Sequence, residues 1–266
     1  MKIVAALLMC LFLSVPSGLA QSTSVWLEDL TPPEIEAAVK AGKSTVIFYG
    51  AGFHQSGPAV ALGKHVFLAR YCAQRLAEAL GNALLLPIQP LAPAEPGGDP
   101  YKKEGHMRSA GTLSITDETW GNVVRETIIS AIVSAGFKNV VILGDHGRGQ
   151  DTKGVYDGGQ LKKVAEQLDA EWKPKGTRAY YVPLYMEVDH GQMKEYLTTK
   201  GVPENRHTAV DDHSELMAIE RDHAWIRQDK IPADIRNVAS AETGRVILDL
   251  KLKKGIEDIR KLIPAK

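Results

Sequence analysis

Two histidines, His54 and His65, stand eleven residues apart in a glycine-punctuated stretch that follows the apolar run Val46-Ile47-Phe48-Tyr49. A third, His146, comes two residues after Val140-Val141-Ile142-Leu143-Gly144. Neutral imidazole is the commonest metal ligand among side chains. Three such rings with a fourth position left open suit a catalytic zinc, whose bound water ionises near neutral pH. The spacing alone is a weak signal, because no short motif such as H-E-x-x-H accompanies it, and a lone histidine is more often a surface or satisfied core residue. Position is what singles these three out. Asp145 and His146 follow a short, buried-looking strand, and open α/β sheets bind ligands just beyond the carboxyl ends of their strands. A further cluster, Asp211-Asp212-His213, reads in two ways: acidic residues favoured at a helix start, or Asp212 as a metal ligand and His213 as a proton shuttle. His106, beside a small-residue turn, is a candidate for facing substrate. His190, His207 and His223 have no comparable setting.

The elements that must position these groups follow from local pattern. Thr31-Pro32-Pro33-Glu34 has capping-box spacing and proline in the first turn, which starts a helix ended by Ala41-Gly42. Apolar runs at 45–49, 83–88, 140–143 and 179–186 predict strands. Helical periodicity predicts helices over 66–80, closed by Gly81-Asn82, over 118–135 with Thr116 or Asp117 as cap and Gly136 after its end, and over 160–170. Helices are also expected around 193–197, from 210 to 219, and over 256–263, with 246–252 readable as strand or helix. Residues 50–65 and 89–105 read as long loops, which are often functional. Strands alternating with helices predict an α/β fold in three layers, a mostly parallel sheet flanked by helices.

Of 266 residues, 44% are hydrophobic and 24% charged, with Lys+Arg and Asp+Glu equal at 32 each. That balance gives no electrostatic case for nucleic acid or an anionic membrane. Met1-Lys2, an apolar run over 3–15 and small residues to Ala20 predict a signal peptide over 1–20, followed by one domain over 21–266. The apolar run is too short to span a bilayer. An exported chain, periplasmic or secreted and free of the membrane after cleavage, is therefore expected. With Cys10 in the leader, Cys72 would stand alone, without a disulfide partner and most simply a small buried hydrophobe. No G-x-S-x-G elbow, P-loop or G-x-G-x-x-G after a strand is present.

Taken in order, these segments resemble the creatininase family of metal-dependent amidohydrolases. The family's first motif has the form P-x-G-S-x-E-Q-H-G-P-H-L-P-L-G-T-D. The stretch Tyr49 to His65 is similar to it, with Gln55, Gly57, Pro58, Leu62 and Gly63 in step. A Gly-Thr segment resembles Gly111-Thr112-Leu113-Ser114, and the family's Gly-Phe, strand, N-G-H-G-G-N unit resembles Gly136-Phe137 through His146-Gly147. Its H-A-G-E-x-E-T-S helix start resembles His207 to Ser214, and its A-T-x-E-x-G run resembles Ala239 to Gly244.

The resemblance implies a hydrolase acting on a cyclic amide or related carbon–nitrogen bond of a small polar molecule, in a ring-like homo-oligomer. In the family the first motif supplies Glu, His and a bridging Asp to a dinuclear centre; here those places hold His54, Ser56 and His65. The strand-end histidine is His146, a Glu that some members carry two residues later is Arg148, and the Glu before the T-S pair is Asp212. Imidazole cannot readily bridge two cations, serine is a poor ligand and Arg148 would repel a second ion. The implied site is therefore one ion at His54, His65 and His146, with Asp212 as fourth ligand. Zinc suits these donors, manganese being the alternative. Asp145 and His213 are then the acid–base candidates, with His106 and Gly147 shaping the substrate pocket. The other outcome of such drift is a non-catalytic member that binds a small ligand or a partner.

Overall fold

The computed structural model describes residues 24–53, 55–94, 99–103, 105, 108–144, 159–184, 191–220, 222 and 225–264. The expected signal peptide lies outside them. Helix α1 (Pro32–Lys40) starts as the capping box predicts, the Thr31 amide donating to Glu34 Oε2 at 2.8 Å. Then follow β1 (Thr45–Gly50), α2 (Lys64–Leu80), β2 (Ala83–Leu85), α3 (Asp117–Ala135), β3 (Asn139–Gly144), α4 (Gly159–Trp172) and β4 (Arg178–Tyr181). Helices α5 (Gln192–Thr199), α6 (His207–Ile219), α7 (Ala233–Arg236) and α8 (Ala241–Leu262) complete the described chain. Among the described residues, no helix is long and apolar enough to cross a membrane.

The four strands pair in the order β2-β1-β3-β4, every neighbour parallel. Successive strand residues face opposite sides, so each strand feeds two cores. Ile47, Tyr49, Leu85, Val141 and Leu143 pack on Leu68, Cys72 and Leu76 of α2 and on Leu248 and Ile259 of α8. Val46, Phe48, Leu84, Val140 and Ile142 pack on Trp120, Val124 and Ile128 of α3 and on Leu161, Val164 and Leu168 of α4. This is the expected three-layer α/β fold. Burial on both faces explains why the strands read as apolar runs rather than alternating ones. A third cluster, built on α5, α6 and α7 with Ala59, Ile226 and Ile247, lies apart from the sheet.

Two boundaries differ from expectation in ways that matter. Helix α2 starts at Lys64, so His65 belongs to a helix rather than to the preceding loop. The run 246–252 is helical, inside the single long helix α8. The run's apolar residues and Lys251 are shared between burying surfaces, which obscured its period. Strands β2 and β4 are also shorter than the apolar runs that predicted them.

Asp169 at the end of α4 ties the edge of the sheet. It accepts from Arg178 Nε at 2.6 Å, Arg178 Nη2 at 3.2 Å and the Ala179 amide at 3.1 Å. The Arg178 hydrogen bond holds the Asp169 carboxyl below its ordinary range. A lowered folded-state pKa gives stability above the unfolded carboxylate range and loses it as pH falls through the folded value. The Arg178 side chain is 41% exposed, so solvent screens the pair. Asp169→Asn is expected to lose about 1 kcal/mol at pH 7 in urea unfolding. The gap to the parent should close as the medium is acidified through the carboxylate range.

Candidate active site

Strands β1 and β3 end side by side, with Gly50 and Gly144 as register partners. The chain therefore leaves toward His54 and toward His146 from adjacent strand ends. A Cβ on Gly50 would fall 2.5 Å from Cζ2 of Trp120, so only glycine lets the ring lie against the strand end. After β1, the Ala51 amide donates to Gln89 O at 2.8 Å and the Leu113 amide to Phe53 O at 3.0 Å. The Gly111-Thr112 turn backs this segment: Gly111 has φ +88°, and a Cβ there would meet Leu62 at 2.9 Å. Farther on, Ala61 and Ala59 exchange backbone hydrogen bonds with Trp225 and Arg227, both at 2.8 Å. The first motif is thus held along most of its length by other parts of the chain.

His54, His106, Asp145, His146, Gly147 and Arg148 lie outside the described residues. His65, Asp212 and His213 lie within them. His65 is 1% exposed, in the first turn of α2. Asp212 and His213 lie in the second turn of α6, which begins at His207 and not at 210, so neither serves as a cap. His213 Nδ1 lies 2.7 Å from Ala209 O. A carbonyl can only accept, so Nδ1 carries the proton and Nε2 is the basic nitrogen of the neutral ring. Nε2 is buried with no hydrogen-bond partner among the described residues. His207 closes the start of α6, its Nε2 lying 2.9 Å from Val202 O.

Helix α6 buries an unusual run: Asp211, Asp212, His213, Ser214 and Glu215 are all shielded from solvent. Unpaired buried carboxylates are costly, and two lysines from other helices answer them. Lys64, the first residue of α2 and 2% exposed, forms a buried ion pair with Asp212. Lys251 of α8 lies 2.9 Å from Glu215 Oε1 and 3.8 Å from Asp211 Oδ2. Burial, with the negative charge of Glu215 beside it, pushes the Asp211 carboxyl well above its ordinary range. Lys64 and Lys251 are the two cations that meet this run of buried carboxyl groups. Helices α6 and α8 come close enough that a Cβ on Gly244 would overlap Ser214 O at 1.8 Å. The last two motifs of the sequence resemblance meet at this crossing.

The family model for creatininase, described as creatinine amidohydrolase, matches residues 28–258. The chain belongs to the creatininase family. Its fold is similar to a crystal structure of creatinine amidohydrolase (TM-score 0.70, 20% identity, covering 92% of this chain and all of that one). It is also similar to a creatininase variant described as the Zn-Zn type (TM-score 0.69, 21% identity, 92% of this chain and 100% of that one). A putative creatinine amidohydrolase from Bacteroides fragilis NCTC 9343 gives a TM-score of 0.63 at 14% identity, over 92% of this chain and 98% of that one. No curated protein sequence matches the chain.

Among the described residues, the carboxylates of α6 are not free to serve a dinuclear centre. Such a centre needs carboxylates to balance and bridge two divalent ions, whereas Asp212 and Glu215 already face lysines and burial disfavours the charged form of Asp211. Among the described residues, no three His, Cys, Asp or Glu side chains are placed to share one ion. Asp212, expected as fourth ligand, has Lys64 on its Oδ1. An imidazole-only set of His54, His65 and His146 carries no such conflict, since it draws on none of these carboxylates. Sequence reasoning missed Lys64. The available signal was a lysine in the place where the family motif has threonine.

Breaking a buried pair from one side leaves a charge stranded. Asp212→Ala should cost roughly 3–5 kcal/mol in denaturant unfolding, while the double variant Lys64→Met, Asp212→Leu should cost much less than the sum of its single changes. Additive single costs would show that the pair is not coupled.

Proposed function

We propose that this protein is an exported creatininase-family hydrolase that opens a cyclic amide, or a related carbon–nitrogen bond, of a small polar molecule at a single divalent ion. The observation that carries the reading is His65, an imidazole buried in the first turn of α2 where the family's first motif ends. His54, His65 and His146 would hold the ion, zinc suiting imidazole better than manganese. Bound there, it would polarise the carbonyl and lower the pKa of water. The chain's own groups do the rest. The Ala209 carbonyl fixes the His213 tautomer and keeps Nε2 available to accept a proton, with Asp145 the second acid–base candidate. His106 and Gly147 would line the substrate pocket. Assembly into a homo-oligomer belongs to the same proposal.

A second reading has support of its own. The engagement of Asp212 by Lys64 is what a family member would show if it had kept the fold and turned to binding a ligand without turnover. Steady-state assays of the zinc-loaded protein on a panel of cyclic amides and lactones separate the two. Ring opening, reduced at least ~10²-fold in His65→Ala and His146→Ala, is the expected result. Tight binding of a ring compound without turnover, unaffected by these substitutions, would establish the binding reading instead.

A further inference from the structure

Lysine is a poor choice for the first position of α2. The N-terminus of a helix carries partial positive charge, the residue is 2% exposed, and a buried ammonium is disfavoured without a partner. Asp212, 148 residues away on α6, is the group that makes the position tenable. Asp212 in turn sits on a helix whose other buried carboxylates, Asp211 and Glu215, are met by Lys251 from α8. The Lys64 ammonium is therefore the positive charge that answers Asp212, one residue from the imidazole of His65.

We infer that Lys64 is a tethered cation standing where a divalent ion would otherwise meet the Asp212 carboxylate, so that the chain is built to be active, or to bind, with at most one divalent ion. The inference builds on the single-ion reading above. Removing the ammonium while keeping the carboxylate should open a new cation site, whereas removing both should not.

The test compares tightly bound zinc and manganese per chain, by elemental analysis after equilibrium dialysis, in the parent and three variants of the full mature protein. Lys64→Ala is expected to bind one more ion than the parent and to gain thermal stability when zinc is added. Lys64→Arg, which keeps the charge, and the double variant Lys64→Ala, Asp212→Asn, which removes the carboxylate as well, should both keep the parent's count. Recovery of Lys64→Ala in folded form only when zinc or manganese is present would give the same answer. An unchanged count in Lys64→Ala, or failure to fold with and without metal, would overturn the inference. The difference between variant and parent is the readout. A parent that binds no ion while Lys64→Ala binds one would sustain the tethered cation and remove the hydrolase reading. A parent with one ion and a variant with one would do the reverse.

Discussion

Helix α6 packs with three carboxylates inside the protein, and their charge has to be balanced there. The ideal cost of moving a carboxylate out of water is large, and attraction to a partner offsets it only when the geometry is good. The protein meets this with Lys64 from α2 and Lys251 from α8, while burial pushes the Asp211 carboxyl above its ordinary range. The arrangement fixes where α2 and α8 stand relative to α6. It also places His65, the residue after Lys64, at a defined point beside the helix. The crossing at Gly244 and Ser214 tightens the same junction. Charge balance and close backbone packing thus act on one trio of helices, on the side of the molecule to which the first motif leads.

The balance also limits the chemistry open to the protein. A centre with two divalent ions would need carboxylates free to bridge and neutralise them. Here the described carboxylates of α6 are answered from within the chain. The chain keeps the family's fold while lysines answer the charge of its α6 carboxylates. Rules of local preference are broken where this happens: a lysine begins a helix, and acidic residues fill the buried second turn of another. Departures of this kind concentrate at functional sites, where the rest of the structure holds them in place.

Much of the fold was legible because its signals are local. The Thr31 capping box, Gly81 and Gly136 in left-handed conformation after α2 and α3, and the Val46–Tyr49 and Val140–Leu143 runs each depend on neighbours within a few residues. The start of α2 was less legible. Gly63 and Lys64 lack a capping signature, so His65 read as loop. The pairing of Lys64 with Asp212 was not legible at all. It joins residues 148 apart, and a single sequence offers no cue to such a contact beyond a charge in the wrong place. For the same reason Asp212 read as a helix cap or a ligand, when its surroundings make it the partner of an ammonium.

The most direct test is a zinc-soaked crystal of the protein, with anomalous diffraction measured on both sides of the zinc edge. The account predicts one strong peak per chain, within ligand distance of the His65 imidazole, with Lys64 Nζ still on the Asp212 carboxylate. Two zinc peaks, or one peak bound by Asp212 with Lys64 displaced into solvent, would contradict it.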